Sequence, residues 1–270
     1  RRFYTLRLAS ENLPIMTSTA LVTGGARRVG AALVRGLAAA GYFVVIHYQA
    51  SASEAEALVR EVRAAGGACG VIRADLRDRA EIAALVPRCV AAFGPLDVLV
   101  NNASSYRYDA IGSLSAEVWD ENLRTNLEAP LFLAAAFQAA CGARSGAIVN
   151  MLDFKVTSLN PDYFSYTVAK VGMAGATRMM AMAFGGRVRV NGIAPGLTMP
   201  SGKQTEAQFE RTWRMTPLGF GPTPEDLAAA LLYLIRTTSV NGQVVSLDGG
   251  VGLRPRRRDI SVDPSALGGG

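Results

Sequence analysis

Tyr166 and Lys170 stand four residues apart in a run, 163–184, whose periodicity predicts a helix. On a helix that spacing puts both side chains on one face. An ammonium beside a phenol stabilises the phenolate, which lowers the phenol pKa and makes it a better proton donor near neutral pH. Thirteen residues before the tyrosine, at the exit of the β-rich run 147–152, lies Asp153, flanked by Leu152 and Phe154. An ionised carboxylate accepts hydrogen bonds but donates none, so it cannot hold a ketone oxygen, and it repels charge developing on an alkoxide. It can accept from N–H groups, orient Tyr166, or relay a proton towards a ring nitrogen. The chemistry this trio suits is reduction of a C=N bond in a nitrogen heterocycle.

A second constellation is built for phosphate. TGGARRVG, at 23–30, follows a short β-rich run and opens a helix that continues to Ala40. Gly24 and Gly30 let the backbone turn tightly and approach a pyrophosphate, while the N–H groups around Arg28 and Val29 open the helix that receives it. In strand–turn–helix context this predicts a dinucleotide site. An acid at the end of the second strand would bind the ribose 2′-hydroxyl of NAD. The residues there are His47, Tyr48, Gln49, Ala50 and Ser51, with no carboxylate before Glu54. With Arg27 and Arg28 in the turn and a hydroxyl on Ser51, the site favours a 2′-phosphate, so NADPH is expected over NADH. His47, the only histidine, reads as a structural or cofactor-edge residue.

These residues need a scaffold, and the chain alternates short β-rich runs with longer helical ones. Strands are expected at 20–23, 43–48, 68–74, 96–101, 147–152, 187–193 and 243–248. Helices are expected at 53–65, 78–93, 163–184 and 224–235, with a long one at 116–141 bent by Pro130. The fold class is therefore α/β: a single-domain, Rossmann-type, doubly wound parallel sheet of about seven strands with helices on both faces. The stretch 195–224, rich in Pro, Gly and polar residues, is long for a connector and predicts a lid. The folded body is expected over 16–252. Residues 1–15 read as a disordered extension ahead of a start at Met16, and 253–270 as a flexible tail.

Composition narrows the function classes. The net charge is +6, but Arg1, Arg2 and Arg7 at one end and Arg254, Arg256, Arg257 and Arg258 at the other carry much of it. The near-balanced body gives no reason to expect a nucleic-acid partner. No run of 18 or more apolar residues occurs, so no transmembrane helix is expected. Cys69, Cys89 and Cys141 are odd in number and form no CxxC or Cys/His cluster. Buried thiols, no metal site and a reducing cytoplasm follow.

Further motifs fall in order along the chain: Asp75 after the third strand, NNA at 101–103, Asn126 in the long helix, NGIAPG at 191–196 and LDGG at 247–250. Together with the glycine turn and Y-x3-K these resemble the short-chain dehydrogenase/reductase family over about 20–252. The resemblance implies that Tyr166 donates the proton, that Lys170 holds the nicotinamide ribose, and that Asn126 holds a water linking Lys170 to solvent. It places Asn102 and Ala103 at the adenosine ribose, Asp75 and Leu76 at the adenine, and Pro195, Gly196, Leu197 and Thr198 at the carboxamide.

Most members carry a serine where Asp153 stands. Asp here is similar to the pteridine reductases and dihydromonapterin reductases, as are NNASSY at 101–106 and HYQASASEAEAL at 47–58, although Ala50 replaces a basic residue often found there. That resemblance implies a pterin-like substrate held by Arg28 and Ser104, stacked by Tyr106 and met by Asp153 and Tyr166, in a homotetramer whose C-terminal tail reaches a neighbouring site. Two other readings stand beside it: a carbonyl reductase acting on 3-oxoacyl or other ketones, and a non-catalytic NADP-binding regulatory protein on the same fold.

Overall fold

A computed structural model describes residues 18–201, 204–254, 256–260 and 262. The expectations placed on 1–15, on Met16 and on 263–270 lie outside these residues. Seven strands, β1 (Thr19–Val22), β2 (Phe43–Tyr48), β3 (Ala68–Arg73), β4 (Val98–Asn101), β5 (Gly146–Met151), β6 (Val188–Pro195) and β7 (Val244–Leu247), form one sheet in the order β3-β2-β1-β4-β5-β6-β7. Every pairing is parallel. The sheet is doubly wound, as the alternation of the sequence predicts.

Both faces of the sheet are covered, which is why its strands read as near-continuous apolar runs. In β1, Ala20 and Val22 enter one core while Leu21 enters the other; in β2, Val44 and Ile46 oppose Val45. The first core packs under α1 (Arg28–Ala39) and α8 (Pro224–Arg236), with α2 (Ala52–Ala64) beside them. The second packs under α3 (Arg79–Phe93) and α5 (Ala129–Cys141). The strand order reverses between β1 and β4, and the carboxyl ends of those strands open the crevice where such sheets bind ligands.

Three local differences from the sequence reading bear on function. The long helix divides earlier than a bend at Pro130 would place it: α4 (Ala116–Leu123) gives way to one π-helical turn over Arg124–Glu128, and Pro130 opens α5. Proline has no N–H to donate to the carbonyl of Asn126, so the regular ladder cannot pass through. The 195–224 connector contains a helix, α7 (Glu206–Arg214), started by a capping box between Thr205 and Gln208. Finally, 256–260, read as flexible, folds back onto the body with Asp259 and Ile260 buried.

Candidate active site

The glycine turn is held from three sides. Asn102 donates its amide to the carbonyls of Thr23 (2.9 Å) and Gly24 (3.0 Å), and the Thr23 hydroxyl accepts from the backbone of Asn102 and Ala103. His47 Nδ1 accepts the Gly24 N–H at 3.0 Å, while Nε2 lies 3.0 Å from the Ala74 carbonyl. That pair of partners fits only the neutral ring with its proton on Nε2. Burial drives the pKa of His47 down to about 4. The histidine therefore ties the turn to the ends of β2 and β3.

A Cβ on Gly30 would overlap the Gly24 carbonyl, so the start of α1 must be bare. Arg27, at the N-cap of α1, makes no side-chain cap and reaches Glu54 at 3.5 Å. Arg28 adopts φ 53°, and its guanidinium donates to the Pro200 carbonyl at 2.6 Å, bridging the turn to the connector after β6.

Below this turn runs a cleft of about 940 Å³. Every site residue expected from the sequence lines it except Asn126. Its far end is built by the β5 exit and α6 (Phe164–Ala183). Tyr166 donates its hydroxyl to Asp153 Oδ2 at 2.7 Å, and the other carboxylate oxygen accepts the Lys155 N–H at 2.9 Å. Burial lifts the Asp153 carboxyl above the usual carboxylate range. Burial, then the neighbouring carboxylate, pushes the Tyr166 phenol well above its ordinary value.

That direction is opposite to the one expected from Lys170. Its ammonium lies 5.6 Å from the centre of the Tyr166 ring and donates to the Met151 carbonyl at 2.8 Å. Burial lowers the lysine itself to about 8.

Several other assignments change in detail. Asn126 spends its amide on the carbonyls of Asn122 and Ser105 and accepts the Ser104 hydroxyl at 2.7 Å, so its side chain anchors the loop after β4. The Ser104 hydroxyl is thereby turned towards Asn126. The Asp75 carboxylate is clasped by Arg77 at 2.7 Å and by Gln49 at 3.0 Å, which hold it near pKa 2 against the opposing effect of burial. Tyr106 stacks on Tyr163 with ring centres 4.0 Å apart and meets Tyr166 edge-on at 4.7 Å.

Tyr163, Lys155, Asp259 and Ile260 also line the cleft, and sequence reasoning passed over all four. Tyr163 sits at the α6 N-cap with φ 54°, a left-handed conformation that a bulky residue adopts only when its surroundings impose it. Those surroundings include Asp109, which takes over the capping of α6: its carboxylate accepts the Ser165 N–H at 3.0 Å. Lys155 did carry a signal. The chain has only three lysines, 155, 170 and 203, among its 28 basic residues. Two of those three are buried at this cleft.

Comparison with known proteins agrees with the fold. The family model described as enoyl-(acyl carrier protein) reductase matches residues 24–252. The 3-oxoacyl-[acyl-carrier-protein] reductase FabG of Staphylococcus aureus is 31% identical over 242 residues, covering 87% of this chain and 98% of that protein. Among solved structures, the FolM alternative dihydrofolate reductase 1 of Brucella canis, complexed with NADP, superposes with a TM-score of 0.85 at 38% identity, covering 90% of this chain and 97% of that one. A blue fluorescent protein from a metagenomic library, in complex with NADPH, gives a TM-score of 0.78 at 28% identity, covering 86% of this chain and 97% of the other. With the glycine turn, the Tyr166–Lys170 pair and the seven-stranded parallel sheet, these matches show that the chain belongs to the short-chain dehydrogenase/reductase family of oxidoreductases.

Proposed function

We propose that the chain is an NADPH-dependent reductase of a pteridine, converting a dihydropterin to a tetrahydropterin by reducing a C=N bond. The observation that carries this reading is the 2.7 Å hydrogen bond between Tyr166 and a carboxylate, where most members of the family place an alcohol. Resemblance to FolM, itself solved with NADP, adds support.

The cleft fits the cofactor. The uncapped start of α1, with the turn packed tightly against it at Gly30, suits a pyrophosphate. Arg27 and Ser51, with no acid at the β2 exit, suit a 2′-phosphate. Asn102, Ala103, Asp75 and Leu76 would hold the adenosine half, and Lys170 with Pro195, Gly196, Leu197 and Thr198 the nicotinamide half. NADPH, when bound, supplies the hydride.

The chain's own part is the proton. Tyr166, held well above its ordinary pKa, keeps its proton until the substrate nitrogen gains basicity. A phenolate left beside an ionised Asp153 would be costly in a buried site. Burial, which disfavours charge on Asp153, offers a way round that cost: once Asp153 has taken up a proton from solvent, it would hand that proton to the phenol oxygen as the phenol gives its own to nitrogen. Tyr106, backed by the stacked ring of Tyr163, offers an aromatic surface for a flat heterocycle, with Arg28 and Ser104 at its edge.

We further place the enzyme in the cytoplasm as a homotetramer. Among the described residues no helix is long and apolar enough to cross a membrane. Phe132 on α5 and Val171, Met179 and Met182 on α6 leave apolar surface exposed.

The deciding experiment follows NADPH oxidation with dihydrobiopterin against an acetoacetyl thioester. Faster turnover of the pterin is expected. A preference for the thioester would replace this reading with the carbonyl reductase suggested by the FabG similarity, and NADPH binding without turnover of any substrate would favour the regulatory protein. Tyr166→Phe should lower pterin turnover by about 100- to 10,000-fold.

A further inference from the structure

Residues 256–260 run back across the cleft formed by their own chain. Asp259 and Ile260 are 3% and 1% exposed and line the cleft with Asp153, Tyr163 and Tyr166. Asp162 fastens this segment twice: one carboxylate oxygen accepts the Asp259 N–H and the Arg258 Nε–H, each at 2.8 Å. The third fastening is the Asp259 carboxylate, 2.6 Å from the ammonium of Lys155.

Lys155 is the most enclosed cation of the site, 1% exposed. Its ammonium also donates to Asn160 Oδ1 at 3.0 Å and the Asp162 carbonyl at 3.1 Å, and lies 5.4 Å from the centre of the Tyr163 ring. Its backbone N–H is the one that Asp153 accepts. A continuous line of contacts therefore joins the C-terminal segment to the reacting pair, from Asp259 through Lys155 and Asp153 to Tyr166.

Stability alone does not account for such a pair. Apolar replacements of a buried ion pair are often neutral or stabilising, whereas removal of one partner strands a charge. What Asp259 and Lys155 supply is placement: the lysine side chain is held at its far end, so the short helical turn Phe154–Val156 cannot shift and Asp153 keeps its aim.

We propose that 256–260 is a strap closing the substrate end of the cleft in its own subunit, and that Asp259, acting through Lys155, is a positioning residue for Asp153 and Tyr166. The inference rests on these two as the reacting pair, but not on which substrate they reduce.

The test uses the full chain and three variants: Asp259→Asn, Lys155→Met, and the double variant Lys155→Met/Asp259→Leu. kcat and KM are measured with whichever substrate the wild type turns over, NADPH affinity by fluorescence titration, Tm by calorimetry, and hydrogen exchange on a peptide spanning the Lys155 amide. Each single variant should lower Tm, speed exchange at that amide, and cut kcat by about tenfold to a hundredfold, with NADPH affinity within about twofold of wild type. The double variant should recover Tm without recovering kcat or amide protection. Recovery of kcat together with Tm would reduce the pair to a stabilising contact and overturn the proposal. So would a single variant with unchanged kcat and exchange. The wild-type substrate panel judges the pteridine reading separately, and the exchange measurement needs no substrate.

Discussion

Tyr166 directs its proton at Asp153 Oδ2, so in the resting site the phenol is donor and the carboxyl acceptor. In the proposed mechanism this bond works in reverse, with a protonated Asp153 replenishing the phenol. Asp153→Asn keeps an oxygen that can accept from Tyr166 but has no proton of the right acidity to pass on. We expect pterin turnover to fall by about a hundredfold, with NADPH affinity unchanged. Asp153→Ser restores a donor for a carbonyl oxygen, so ketone reduction should rise above wild type while pterin reduction falls. Steady-state rates with both substrates measure this, and a fully active Asn variant would show that the carboxyl is not a relay.

The pH dependence of the site follows from Lys170. Burial lowers its pKa to about 8, so the free enzyme loses this positive charge as pH rises through that value. The phenol of Tyr166, raised far above its ordinary value, stays protonated over the same range. The alkaline limb of kcat/KM is therefore expected near pH 8 and belongs to the lysine. Lys170→Arg should remove that limb, because guanidinium does not deprotonate there. The same limb persisting in the arginine variant would assign it elsewhere.

The sheet was legible in the sequence because its strands are buried on both faces and stand out as apolar runs, FVVIHY at 43–48 being the plainest. The glycine turn was legible because only glycine fits Gly24 and Gly30. What escaped was long-range or concealed. Helix α7 is too polar for its periodicity to stand out, although Thr205 and Gln208 spell a capping box. The π-turn at Arg124–Glu128 depends on one missing N–H at Pro130. Asp259 lies 104 residues from Lys155, and nothing in a charged terminal run distinguishes a buried carboxylate from a solvated one. The phenol pKa was read from the i, i+4 lysine, whereas burial and Asp153 decide it.

Two glycines separate binding from stability. A Cβ on Gly30 meets the Gly24 carbonyl and stands 2.7 Å from Asn102 Nδ2, so Gly30→Ala must push apart the turn proposed to receive the pyrophosphate. NADPH affinity should drop about tenfold or more, with stability lower by about 1–3 kcal/mol. Gly41, after α1, has φ 91° and nothing within 4 Å of an added Cβ. Gly41→Ala should cost only about 1–2 kcal/mol, from the left-handed backbone, and leave NADPH affinity intact. Titration and denaturant melts of the two variants give both quantities, and an unchanged cofactor affinity in Gly30→Ala would remove the turn from the binding site.

His47 makes stability depend on pH in a way that can be isolated, because the chain has no other histidine. Its pKa is about 4 in the fold, against 6.5 for an unperturbed side chain. Between those values the unfolded chain binds the proton and the folded one does not, so stability falls as pH drops through this window and levels off below about 4. The full loss is about 3 kcal/mol. His47→Gln should be less stable at pH 7, where the bonds to Gly24 and Ala74 are disturbed, but should lose less on acidification. The difference between the two proteins' unfolding free energies should then shrink from pH 7 to pH 4, cancelling the carboxylate contributions they share. A constant difference across that range would mean that His47 titrates normally and that the glycine turn is not locked by a neutral ring.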